Sequence, residues 1–125
     1  EEVAYKQNGE ELPEEEMAKN GLAGLLDAFQ AALQLAEAVH ELGLKGSIRD
    51  QLTRASESVV LNISEAHPAV GADRARGFQI ALKEASECRG ALAILKVRKQ
   101  ITPEEFERLW NLVERICAMR LIHPG

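Results

Sequence analysis

Ile101-Thr102-Pro103-Glu104-Glu105-Phe106-Glu107-Arg108-Leu109-Trp110-Asn111-Leu112-Val113 is the stretch from which the fold can be read. Thr102 offers an N-cap oxygen, and Pro103 takes the first helical position, where a missing N–H costs nothing. Glu105 stands where a capping box wants its carboxylate. Phe106, Leu109, Trp110, Val113, Ile116, Cys117 and Leu121 then recur at three-and-four spacing, the period of a helix with one apolar side. A helix over about 103–122 must bury that side against something, and the same pattern recurs upstream.

Proline and glycine at Pro13, Gly21, Gly43, Gly46, Pro68, Gly71, Pro103 and Pro124 divide the rest of the chain. One helix is predicted over about 21–43, with Leu22, Leu25, Leu26, Phe29, Leu33, Ala36 and His40 as its stripe and Gly43 as its stop. A second is predicted over about 47–67. Ser47 and Asp50 are placed to cap it, Ile48, Leu52, Ala55, Val59, Ile63 and Ala66 form its stripe, and His67-Pro68 ends it. A third, over about 72–100, aligns Phe78, Leu82, Ala85, Cys88, Leu92 and Leu95, with Gly77 and Gly90 weakening it locally. Helices of this size are about 30 to 40 Å long, and short connections force neighbours to run antiparallel. The expected fold is all-α, an antiparallel up-down-up-down four-helix bundle over residues 21–125, preceded by a flexible acidic extension over 1–20.

The chain has 125 residues, 46% hydrophobic and 28% charged, the balance of one folded domain. Its net charge of −5 sits in the first twenty residues, which hold seven Glu against Lys6 and Lys19; the remainder is balanced. A neutral body gives no overall attraction to a phosphate backbone. No apolar run is read as approaching membrane-spanning length, and the first residues do not resemble a signal peptide, so the expected compartment is the cytoplasm. Cys88 and Cys117 lie far from each other and from any Cys/His cluster, which reads as two reduced core thiols rather than a zinc or redox site.

Apolar residues exceed what one stripe per helix requires. Ile80, Ala91 and Ile94 fall opposite Phe78 and Leu82, and further excess occurs at Val60 and Leu61, at Leu35 and Leu42, and at Leu112 and Met119. Apolar groups clustered beside a first stripe are how a subunit interface reads, so Val60, Leu61, Ile80, Ala91, Ile94, Leu112 and Met119 are expected contacts in a self-associating protein.

The polar positions are weaker signals. Glu37 and His40 form one Glu-x-x-His step, but a di-iron bundle needs a second copy and further inward glutamates, so no metal or other cofactor is expected. His67 and His123 have no Ser, Cys or Asp at a catalytic spacing, and there is no glycine-rich phosphate loop; no enzyme is read from the sequence. The one basic stretch lies in the third helix, where Arg74, Arg76, Lys83, Lys96, Arg98 and Lys99 are candidate nucleic-acid contacts if they gather on one surface.

Leu52-Thr53-Arg54-Ala55 followed by Val59-Val60-Leu61-Asn62-Ile63-Ser64-Glu65-Ala66 resembles the LRRAA…NIAEG signature of bacterial four-helix bundle proteins. That family includes proteins encoded in intervening sequences of large-subunit ribosomal RNA genes and accessory proteins of diversity-generating retroelements. Phe78, Ile80-Ala81, Glu87-Cys88-Arg89 and Ile101-Thr102-Pro103-Glu104-Glu105-Phe106 match in order, as does Leu26-Asp27-Ala28-Phe29-Gln30 in the first helix, so the likeness covers about residues 22–121. Ala66 and Lys83-Glu84 depart from the family's usual glycine and Gly-Ser. The resemblance implies a ring of bundles, usually five around a central channel, and in basic members binding of nucleic acid or a reverse transcriptase. It also marks Arg54, Asn62, Glu65 and Glu87 as family positions. They are expected to satisfy one another between helices or subunits, since buried charge persists only when paired. Two readings follow: a homopentameric scaffold or interaction module whose partners are itself and an unidentified protein, with no membrane; or an accessory protein that binds nucleic acid through the third helix.

Overall fold

The computed structural model describes residues 6–7, 10–11 and 14–121, with side chains for 21–120. Two short strands, β1 (Lys6–Gln7) and β2 (Glu10–Glu11), pair antiparallel, with Lys6 opposite Glu11 and Gln7 opposite Glu10. Four helices follow: α1 (Glu14–Glu41), α2 (Ser47–Ala66), α3 (Gly71–Val97) and α4 (Pro103–Cys117), the last running into a 3₁₀ turn at Ala118–Leu121. Each packs on its sequence neighbours and α4 closes back on α1, the up-down-up-down arrangement.

The helix starts show where local chemistry decides the boundary. Thr102 and Glu105 form the expected reciprocal box: the Glu105 N–H donates to Thr102 Oγ1 at 3.0 Å, and the Thr102 N–H donates to Glu105 Oε1 at 2.8 Å. At α2 the expected box is absent; Gly46 is the N-cap and no side chain accepts from the first turn. Gly46 sits at φ +114°, outside the range where a side chain is comfortable, and Gly43 ends α1 at φ +67°. These two glycines set the α1–α2 turn, so Ser47 enters the helix as its first residue rather than capping it. α1 also begins seven residues earlier than expected, directly after Pro13, because Gly21 and Gly24 lie within it rather than breaking it. Residues 14–20 are therefore helix, not extension.

The core holds Leu25, Ala28, Ala31, Ala32, Leu35, Ala38 and Val39 from α1. α2 adds Leu52, Ala55, Val59, Ile63 and Ala66; α3 adds Phe78, Ala81, Ala85, Cys88, Leu92 and Leu95. Leu109, Val113, Ile116 and Cys117 complete it from α4. Each large side chain buried this way stabilises the fold by roughly 1.5–3 kcal/mol relative to exposure. α2 and α3 have the most extensive contact of any helix pair, and they approach closely where Gly77 meets Ala66. A Cβ placed on Gly77 would stand 2.6 Å from Ala66 Cβ, so the two backbones meet at a separation that only glycine admits. Ala66 thus faces a glycine on the opposite helix.

Within α1, Gly21–Glu41 is by length and composition apolar enough to cross a membrane, with mean hydropathy 1.2. This corrects the expectation that no stretch approaches that length. Its few charges interrupt the run without lowering the average, and in the fold its inner side is core.

Candidate subunit interface

α1 carries two apolar stripes at the same three-and-four spacing, and the chain's own core takes only one of them. Leu25, Ala28, Ala32, Leu35 and Val39 point inward; Leu22, Leu26 and Leu33 are 51%, 54% and 46% exposed, with Phe29 half-buried between them. The sequence places Leu22, Leu26, Phe29 and Leu33 together with Leu25 in one core stripe and Leu35 in the excess; the structure buries Leu25 and Leu35 and leaves Leu22, Leu26 and Leu33 outside. With Ala31 and Ala38, which are also buried, four of the seven inward residues are alanine, and small side chains let helices approach closely enough to pack at core density. The bulkier leucines are left outside.

The outer side of α2 and α3 is the other apolar surface. Leu61 is 59% exposed and Ile94 37%, while Val60 and Ile80 are half-buried. The remaining expected subunit contacts do not lie there: Ala91, Leu112 and Met119 are 7%, 6% and 1% exposed and belong to the core. Ala91 and Leu112 lie at the edge of their helices' inward stripes, where a wide core absorbs them, and Met119 is buried from the 3₁₀ turn that follows α4.

Arginine–carboxylate pairs close three of the four seams between adjacent helices. Across α2–α3, Arg54 Nη1 donates to Glu84 Oε2 at 2.8 Å and Nη2 donates to Glu87. Across α3–α4, Arg89 donates from Nε at 3.1 Å and Nη2 at 2.5 Å to Glu114 Oε1. Across α4–α1, Arg115 donates from Nη2 to Asp27 Oδ1 at 2.7 Å and from Nε to Asp27 Oδ2 at 3.3 Å. Hydrogen bonding to these carboxylates raises the pKa of Arg54, through Glu84 first, and of Arg115, through Asp27. No such pair spans α1–α2 among the described residues. That seam opens instead as an apolar groove lined by Leu25, Leu26, Phe29, Ile63, Ser64 and His67.

The four family positions therefore do not form one cluster. Arg54 joins Glu87, and also Glu84, which the sequence reading did not single out. Asn62 Nδ2 donates to Ser58 O at 2.9 Å and Ser58 Oγ at 3.0 Å within its own helix, and Glu65 has no ion pair among the described residues. Helical spacing puts Asn62 two turns beyond Arg54, out of reach of Glu87. Pairs such as Arg115–Asp27, 88 residues apart, leave no mark in a single sequence.

The basic residues of α3 do not gather either. Arg76 and Arg98 are separated by about 33 Å at 1.5 Å per residue, so the two ends of the helix hold separate groups. Arg74 donates to His67 O at 2.8 Å and lies over the Phe78 ring, and Lys96 stands 4.3 Å from the centre of the Phe106 ring. Arg76, Lys83, Arg98 and Lys99 remain exposed without an ion partner among the described residues. Glu37 and His40 lie on the exposed side of α1, and no group of three or more His, Cys, Asp or Glu with metal-holding geometry occurs among the described residues. Cys88 and Cys117 are both buried free thiols. Burial, then the charges of Glu87 and Glu84, pushes the Cys88 thiol up to about 12, and burial raises Cys117 too. Neither is a thiolate near neutrality, the form that nucleophilic or metal chemistry requires.

Together these features define an all-α bundle with a closed core and apolar residues exposed on its exterior. A family model for the 23S rRNA-intervening sequence protein matches residues 25–121, and the chain belongs to that family. Among solved structures it is similar to a protein of unknown function from the S23 ribosomal protein family of Bacteroides thetaiotaomicron. The two share 27% identity with a TM-score of 0.72, over 78% of this chain and 99% of the other. No curated protein matches the chain.

Proposed function

We propose that the protein acts by assembly rather than by catalysis, as a homopentameric ring that serves as a scaffold or interaction module. The observation that carries this reading is the outer stripe of α1, where three leucines about half exposed lie in line on one helix. Scattered apolar residues are ordinary on a protein surface; a row of them along one helix marks a contact with another molecule. The family likeness supports the choice of five. Light scattering on the purified chain at micromolar concentration is expected to give five times the 13.7 kDa chain mass, and a mass equal to one chain would sink the proposal.

A second reading, binding of nucleic acid, is favoured by the exposed and unpaired Arg76, Lys83, Arg98 and Lys99. A ring would multiply these charges around its axis. Retardation of labelled RNA or DNA that weakens steeply with salt is the expected signature, and no retardation at low salt excludes it.

A further inference from the structure

We infer that the outer stripe of α1 in one copy packs against the outer side of α3 in the next, a head-to-tail contact; the inference rests on the self-assembly proposed above. α1 and α3 are diagonal in the bundle, each flanked by α2 and α4, so their outer sides face opposite directions. A head-to-tail contact needs two different surfaces so disposed, whereas an isologous pair needs one surface that matches itself.

The two sides match in spacing. Leu22, Leu26, Phe29 and Leu33 alternate four and three residues along α1, and the same alternation along α3 takes in Arg76, Ile80, Lys83, Glu87, Gly90 and Ile94, of which Ile80 and Ile94 are apolar and Glu87 is already held by Arg54. This is the heptad alternation by which one helix seats its side chains between those of another. Gly90 lies between Glu87 and Ile94 in the α3 line, exposed, with nothing within 4 Å of where a Cβ would stand. Alanine there would make a better helix in an isolated chain, and a glycine in open space on a helix surface is where a second backbone can come close.

The charges match as well. From Gly21 to Glu41 the ionisable side chains are Asp27, Glu37, His40 and Glu41, with no lysine or arginine, and Asp27 is already held by Arg115. Four cations without an ion pair among the described residues, Arg76, Lys83, Arg98 and Lys99, belong to α3 and the turn that follows it; Lys45, Arg108 and Arg120 are likewise unpaired but lie on other elements. A ring axis along the bundle leaves helix direction unchanged from copy to copy, so α1 runs parallel to the neighbouring α3. Glu37 and Glu41 then come to the end where Arg98 and Lys99 stand.

The test uses two full-length variants, Leu26→Glu and Ile94→Glu, both at exposed positions, with far-UV circular dichroism to establish that each keeps the wild-type helix content. Leu26→Gln and Ile94→Gln stand in should either glutamate variant lose it. Each variant alone is expected to run as a single 13.7 kDa chain. An equimolar mixture is expected to give a capped two-chain species, because each variant supplies the surface the other lacks. An Ile94→Glu protein that assembles like wild type, or a mixture that stays monomeric, overturns this contact while leaving self-assembly standing. A wild-type chain that is itself monomeric overturns both.

Discussion

The α2–α3 and α1–α2 seams join helices of the same bundle by opposite means. Between α2 and α3 Gly77 admits Ala66, and Arg54 reaches across to Glu84 and Glu87. Between α1 and α2 no ion pair crosses among the described residues, and an apolar groove runs between Leu26 and Phe29 on one side and Ser64 and His67 on the other. The first seam is complete within one chain. The second leaves apolar surface along the seam itself: α2 and α3 lock directly to each other, whereas α1 completes the core and keeps leucines exposed beside its neighbour.

The sharpest way to break this contrast is to truncate one residue on each side of it. Leu52→Ala on α2 removes a fully buried side chain and is expected to destabilise by about 2–5 kcal/mol in urea unfolding. Close in size is overpacking at the tight seam. Gly77→Leu should lower stability by about 1–3 kcal/mol or more by forcing α3 away from Ala66, and a variant as stable as wild type would mean that the close approach is not constraining.

Next comes the pH dependence of the α3 core. Because the folded state holds the Cys88 proton more tightly than the unfolded chain, stability is flat below about pH 9 and falls as the unfolded thiol ionises. The expected slope is about 1.4 kcal/mol per pH unit up to about pH 12. Comparison of alkaline unfolding in wild type and Cys88→Ala isolates this contribution, and equal curves would contradict it.

Smaller still is the α4–α1 clamp. Arg115→Met should cost no more than about 1 kcal/mol, since the pair is partly exposed and screened, and the loss should shrink in high salt. The smallest expected change completes the comparison: Leu26→Ala should leave the thermal stability of a dissociated chain within about 0.5 kcal/mol of wild type while weakening assembly. A large loss of monomer stability would place Leu26 in the core after all.

The sequence was most informative where a short-range rule decides the structure. Thr102 and Glu105 announce α4 because a capping box is complete within four residues, and Gly43 and His67-Pro68 mark helix ends by backbone geometry alone. It was least informative where two solutions satisfy the same rule. On α1 both stripes have helical spacing, and hydrophobicity favours the leucine-rich one; packing distance, which the sequence does not state, selects the alanine-rich one. The same ambiguity put Ala91, Leu112 and Met119 on the outside when they complete the inside. Ser47 was outcompeted as a cap by Gly46, whose left-handed backbone sets the turn. Of the polar positions, Arg54 and Glu87 were rightly linked across helices, but Glu84 was missed, because which acid a long arginine reaches depends on helix rotation.

Trp110, the chain's one tryptophan, gives the molecule an optical label at a defined place. Its ring stacks on Phe106 at 5.3 Å between centres, and the Arg89 guanidinium lies 5.9 Å away. It belongs to the α3–α4 side, away from the α1–α2 groove. Emission from it therefore reports the opening of one seam while scattered light reports the joining of copies, so unfolding and disassembly can be followed separately in one unlabelled sample.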